Sequence, residues 1–134
     1  MKKIEVWQGL VLGCAFLASA CGQPETTQAD TQAQQWQDWQ VQVQTRPSPP
    51  QDGMDEFLII VTGAHEHPGS GCLVDIRTAS ADPWKQAIQD GRVGVYRRAA
   101  LVSPGERRTV QVRLQCAKDQ ESGVLYFPLN VPSS

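Results

Sequence analysis

Histidine, methionine and tyrosine are the scarcest residues with chemistry to offer in this 134-residue chain, two of each, and aromatic side chains make up only 7% of it. Both histidines, His65 and His67, stand beside Pro68 in one glycine-bounded stretch, so general acid–base catalysis or a multi-histidine metal centre would have little imidazole to draw on. A glycine-rich phosphate loop, a G-x-S-x-G turn, an H-E-x-x-H pair and a C-x-x-C pair are all missing. Those are the local signatures of nucleotide binding, serine hydrolysis, zinc proteolysis and thiol redox chemistry. No repeat at a solenoid period is found. No apolar run reaches the roughly 20 residues that a membrane-spanning helix needs. The absences point away from an enzyme and from any resident cofactor, although a catalytic triad need not be local in sequence.

What is present begins with an address. Lys2 and Lys3 precede a mainly apolar stretch over residues 7–20 that closes in small residues, the form of an export leader. Its end, Leu17-Ala18-Ser19-Ala20-Cys21, resembles a bacterial lipobox, in which a cysteine is acylated and becomes the new N-terminus. Ala18 stands where that motif prefers leucine, and Leu17 is one place earlier. The same letters fit an ordinary A-x-A cleavage at residues 18–20, which would release a soluble protein. Residues 11–14 form a second, weaker lipobox, and Glu5 is unwelcome in either version. Cysteine arithmetic favours acylation. Cleavage before Cys21 leaves Cys21, Cys72 and Cys116, and lipid on the first lets the other two pair in an oxidising compartment. Gly22 follows the cysteine in place of the aspartate that resembles an inner-membrane retention signal. The expected location is therefore the bacterial envelope, anchored by lipid and facing the periplasm, with the outer membrane favoured.

Residues 21–38 are rich in Gln, Thr and acid, with almost no apolar content before Trp36. Such a segment buries too little surface to offset the entropy of ordering, and it is expected to be a disordered tether. A single domain over 39–134 follows. Residues 39–45 (WQVQVQT) alternate, with Trp39, Val41, Val43 and Thr45 on one face and glutamines on the other. Proline breaks the chain over 46–53, and residues 55–62 (DEFLIIVT) are apolar on both faces, as in a central strand. Strands are also read over 72–78, 92–103, 107–116 and 124–131, with Pro128 marking the last as an edge. Short strands at spacings near ten residues with turns between them argue an all-β antiparallel sandwich. One short helix is expected over 82–90. Asp82 suits its N-cap, Pro83 its first position and Gly91 the residue beyond its end, and Trp84, Ala87 and Ile88 would form one apolar stripe.

Cys72 and Cys116 both fall on inward faces, so a buried bridge between two strands is expected, worth about 4 kcal/mol on loop-closure entropy before strain is discounted. Two buried reduced thiols are the alternative. His65-Glu66-His67 offers a weak metal site: on an extended segment the imidazoles point the same way, and copper or zinc would need a further ligand from elsewhere. An exposed polar loop is the alternative. Residues 77–113 hold eight Lys/Arg against three acids, whereas residues 22–60 hold six acids against Arg46 alone. Arg97-Arg98 and Arg107-Arg108 flank a Pro-Gly turn that reads as a hairpin, a basic patch suited to acidic partners or lipid headgroups. Nucleic acid is not an expected partner.

The tether, the Asp-Glu-Phe-led strand from residue 55 and the late strand pair around Pro104-Gly105-Glu106 resemble periplasmic Ig-like accessory domains of the YtkA/FixH type over most of residues 39–131. That resemblance implies an Ig-like β-sandwich with a binding or assembly role. It carries over no ligand residue, and the helix expected over 82–90 departs from it. The expected function is protein binding by an envelope lipoprotein, with Trp84, Tyr96, Arg97 and Arg98 as contact residues. Metal binding at His65 and His67 is the alternative.

Overall fold

The computed structural model describes residues 33–105, 108–117 and 121–132. The leader and Cys21 lie outside them. Eight strands follow one another: β1 (Gln34–Trp36), β2 (Trp39–Arg46), β3 (Gly53–Thr62), β4 (Leu73–Arg77), β5 (Lys85–Gln89), β6 (Val95–Val102), β7 (Thr109–Gln115) and β8 (Gly123–Pro128). Every pairing between them is antiparallel, in the order β1-β2-β3-β6-β5-β4-β7-β8. β2-β3-β6-β5 and β4-β7-β8 reproduce the two sheets of a constant-type immunoglobulin sandwich, with β1 added at one edge.

Alternation puts the core where the sequence places it. Val41 and Val43 of β2, Phe57, Ile59 and Val61 of β3, Val74 and Ile76 of β4, and Val110, Val112 and Leu114 of β7 are all fully buried. Phe127 of β8 closes the second sheet, and Leu129 beyond it is buried as well. Leu58, on the outer side of β3, is also buried, but Met54 on that side is exposed and Glu56 and Ile60 are half-buried, so β3 is covered fully on its inner side and only in part on its outer side, unlike the doubly covered central strand expected.

Residues 82–90 are not a helix. β5 runs extended from Lys85 to Gln89: Lys85, Gln86 and Ala87 pair with Ile76, Asp75 and Val74 of β4, and Ile88 and Gln89 pair with Arg97 and Tyr96 of β6. One five-residue strand thereby joins both sheets. A two-turn helix gains little on its own, and in this place it would leave the facing edges of β4 and β6 unpaired. The apolar stripe dissolves accordingly: Ala87 points into the core, while Ile88 is 64% exposed.

Part of the segment read as tether is strand, while residues 21–32 lie outside the described residues. Gln34–Trp36 pairs with β2 through a turn at Gln37 and Asp38, Trp36 opposite Trp39. Gln34 Nε2 donates to the carbonyl of Tyr126 at 2.6 Å, and the Trp36 ring occupies the space where a side chain at Gly123 would go. These contacts bring the β1 edge against β8 and nearly close the sheet. β6 and β7 belong to opposite sheets and do not form a hairpin. Arg108 instead pairs with Asp52 at 3.0 Å, and Arg107 lies outside the described residues.

Candidate functional site

The four residues expected to form one contact surface are placed in three different environments. Tyr96 is buried. Its hydroxyl donates to the Gly69 carbonyl at 2.7 Å and accepts the Cys72 backbone N–H at 3.1 Å. Burial raises its pKa above the ordinary 10.0, against the lowering effect of the Cys72 N–H, so it stays protonated and available as a donor. The tyrosine is a strut between β6 and the loop that leads into β4. A buried phenol needs a partner, and the inward alternation of Tyr96, Ala100 and Val102 was the available sequence signal.

Trp84 lies on the outer face of the β4-β7-β8 sheet. Its ring is held between two guanidinium groups, Arg77 at 4.2 Å and Arg113 at 4.6 Å from the ring centroid. Each arginine is fixed in turn by a cross-strand neighbour. Arg113 reaches Asp75 Oδ2 through Nη2 at 2.8 Å and Nε at 3.1 Å, and Arg77 Nε donates to Gln111 Oε1 at 2.8 Å. Gln111 Nε2 donates onward to Ser80 Oγ at 3.0 Å, which accounts for a buried glutamine on an outer face. Beside this stack Leu73 is 54% and Tyr126 58% exposed, and Val124 is also exposed. A 380 Å³ depression lined by Gly71, Leu73, Gln115, Cys116 and Ala117 opens on the same sheet.

Arg97 and Arg98 sit on the other sheet. Arg97 is tied to Glu56 at 2.8 Å and to Asp90 at 3.2 Å. Arg98 is exposed and, like Lys85, has no ion-pair partner among the described residues. Both line a shallow 440 Å³ depression with Met54, Glu56, Ile88, Arg97 and Ala99. Register pairing at Phe57–Arg98, Ile88–Arg97 and Ile76–Lys85 brings these distant positions together, and sequence spacing carries no trace of it.

His65 sits in a 3-10 turn, Ala64–Glu66, and extended His67 follows its end, so the turn interrupts the extended path expected of the pair. His65 and Glu66 take left-handed φ values of 56° and 59°, so the alternation that would aim both imidazoles one way is broken. Both rings are exposed. Among the described residues no three His, Cys, Asp or Glu side chains come together as a metal site. The loop is held at its base: Gly63 N–H donates to His67 O at 2.6 Å and Gly69 N–H to Val61 O at 2.8 Å. Gly94, at φ 84°, packs on the same carbonyl, where a Cβ would come within 2.9 Å. Cys72 and Cys116 form the bridge, with Cα atoms 4.0 Å apart, immediately beyond the Leu73–Gln115 pair.

Comparison with protein-family models, with curated proteins and with solved structures finds no match.

Proposed function

We propose that this chain is a lipid-anchored envelope lipoprotein without catalytic activity, and that it binds another envelope protein through the outer face of β4, β7 and β8. The observation that carries the reading is the exposure of Tyr126, Leu73 and Val124 around a tryptophan immobilised by two arginines. Aromatic and arginine side chains, held in place before the partner arrives, lose little freedom on binding and are the usual anchors of protein interfaces. The lipobox at Cys21 supplies the tether, and Gly22 favours the outer membrane. The resemblance of residues 39–131 to YtkA/FixH-type accessory domains supports a binding or assembly role in the same compartment.

A photo-crosslinker at Tyr126 in intact cells is expected to give one discrete adduct that disappears with Leu73→Asp. An adduct pattern unchanged by that substitution overturns the assignment of the face. Intact mass of the membrane-extracted protein is expected to show acyl chains on Cys21, and an unmodified Cys21 overturns the anchor.

A further inference from the structure

Register orders the outer face of β4, β7 and β8 in rows. Arg77, Gln111 and Tyr126 lie side by side across the three strands, and Asp75, Arg113 and Val124 form the next row. Leu73 pairs with Gln115 in the row beyond, and both line the 380 Å³ depression. Residues directly opposite on neighbouring strands share a face, and each strand returns to that face at every second residue.

Charge on this face does not cancel. The outward positions of the three strands hold one acid, Asp75, and two arginines. Asp75 is taken by Arg113, through both Nε and Nη2. Arg77 is left without an acid. Its Nε donates to Gln111 Oε1 and its guanidinium lies 4.2 Å from the centroid of the Trp84 ring. Nη1 and Nη2 have no hydrogen-bond or ion-pair partner among the described residues, and neither is sealed from solvent.

A loose, solvated arginine in that state would be ordinary, but this one is fixed. Gln111 is only 4% exposed and donates to Ser80, so contacts running from Ser80 through Gln111 set the position of the Arg77 fork. Burying an amide beside a surface cation carries a desolvation cost. Its effect is a guanidinium held in place, with two donors unused, before anything binds. Such a fork matches the two oxygens of a carboxylate, and a phosphate equally well. The neighbours separate the two. Tyr126 stands about 10 Å away across the strands, and Leu73 about 13 Å away along β4. A small anion on Arg77 would leave both uncovered, whereas a stretch of polypeptide reaches all three.

We propose, on the binding role already given to this face, that its partner presents an acidic segment of polypeptide. One Asp or Glu carboxylate pairs with Nη1 and Nη2 of Arg77, and an apolar side chain of the same segment enters the depression beside Leu73. In an extended segment, about 13 Å is four residues at about 3.3 Å each. The acid and the apolar residue then stand about four positions apart.

The test uses the full chain in cells, with the photo-crosslinker at Tyr126. Arg77→Glu is expected to lower the adduct at least about tenfold, because it removes one half of a charge pair and sets a like charge against the other. Arg77→Gln, which adds no repulsion, should give a smaller loss. Circular dichroism of the purified variants checks the fold, and Arg77→Gln carries the test if Arg77→Glu misfolds. Mass spectrometry of the adduct is expected to place the crosslink in a segment that contains Asp or Glu. Replacing that acid by Arg should weaken the adduct with the parent protein and restore it with Arg77→Glu. An adduct lost with Leu73→Asp but unchanged by both Arg77 substitutions overturns the acidic partner and leaves the binding face standing. A crosslinked segment without an acid, or no restoration on charge exchange, overturns it as well. An adduct to lipid or to a second copy of this chain assigns the face to another occupant and overturns it too. Absence of any adduct from the parent protein overturns the face and its partner together.

Discussion

Asp55 shows how much one buried carboxylate can set. It is 1% exposed, Oδ2 accepts the Gln51 N–H at 3.0 Å, and Oδ1 has no hydrogen-bond partner among the described residues. Burial raises its pKa above the ordinary 3.8; the Gln51 N–H opposes the rise and nearby Asp52 adds to it. Folding therefore favours the neutral form. Its contribution to stability is fully present below 3.8 and is lost as pH rises through the raised value. Asp55→Asn is expected to match the parent protein near about pH 3 and to exceed it in urea midpoint near about pH 7, because the amide can still accept from Gln51 without carrying charge. Asp55→Ala leaves that N–H unpaired and should cost about 1–3 kcal/mol. Tyr96→Phe should cost a similar amount, because it strips the Cys72 N–H and the Gly69 carbonyl of their shared partner. Faster hydrogen exchange at the Cys72 amide is the measurement that locates the loss in the histidine loop.

At the scale of elements, β5 carries the largest consequence for its length. Lys85 to Ala87 complete one sheet and Ile88 and Gln89 the other, so neighbouring side chains meet opposite environments. Ala87→Asp would place an unpaired charge in the core and is expected to cost several kcal/mol, enough to unfold a domain of ordinary stability. Ile88→Asp should change stability by less than about 0.5 kcal/mol. A helix over the same residues would bury Ala87 and Ile88 together and make both substitutions damaging, so urea denaturation of the pair separates the two conformations.

The whole molecule is a thin sandwich, and its stability depends on closure. The order of strands leaves β1 and β8 as the ends of the sheet, and contacts of Gln34 and Trp36 with β8 shield them. The Cys72–Cys116 bridge adds a covalent closure across 44 positions of sequence. Replacing both cysteines by alanine should lower unfolding free energy by up to about 4 kcal/mol, most of it through the greater freedom of the unfolded chain. A fall in the urea midpoint with little change in slope would match that origin.

Much of this was legible in the residues. Period-two alternation in β2, β4 and β7 specifies which side chains face inward, because a strand offers no other way to bury every second residue. Proline and glycine mark where strands stop, and the two cysteines on inward faces name their own bridge. Residues 82–90 were not legible, since a stripe at Trp84, Ala87 and Ile88 satisfies a helix locally and fails only when the edges of β4 and β6 require a strand between them. The contact set was not legible either. Tyr96, Arg97 and Arg98 are adjacent in sequence, yet the pleat sends Tyr96 into the core and Arg97 to the surface, and Trp84 finds its arginines on β4 and β7. Patterning along a chain specifies which face of a strand is apolar. Which strands become neighbours, and therefore which charges and rings meet, depends on long-range pairing free energies that no short window of residues contains.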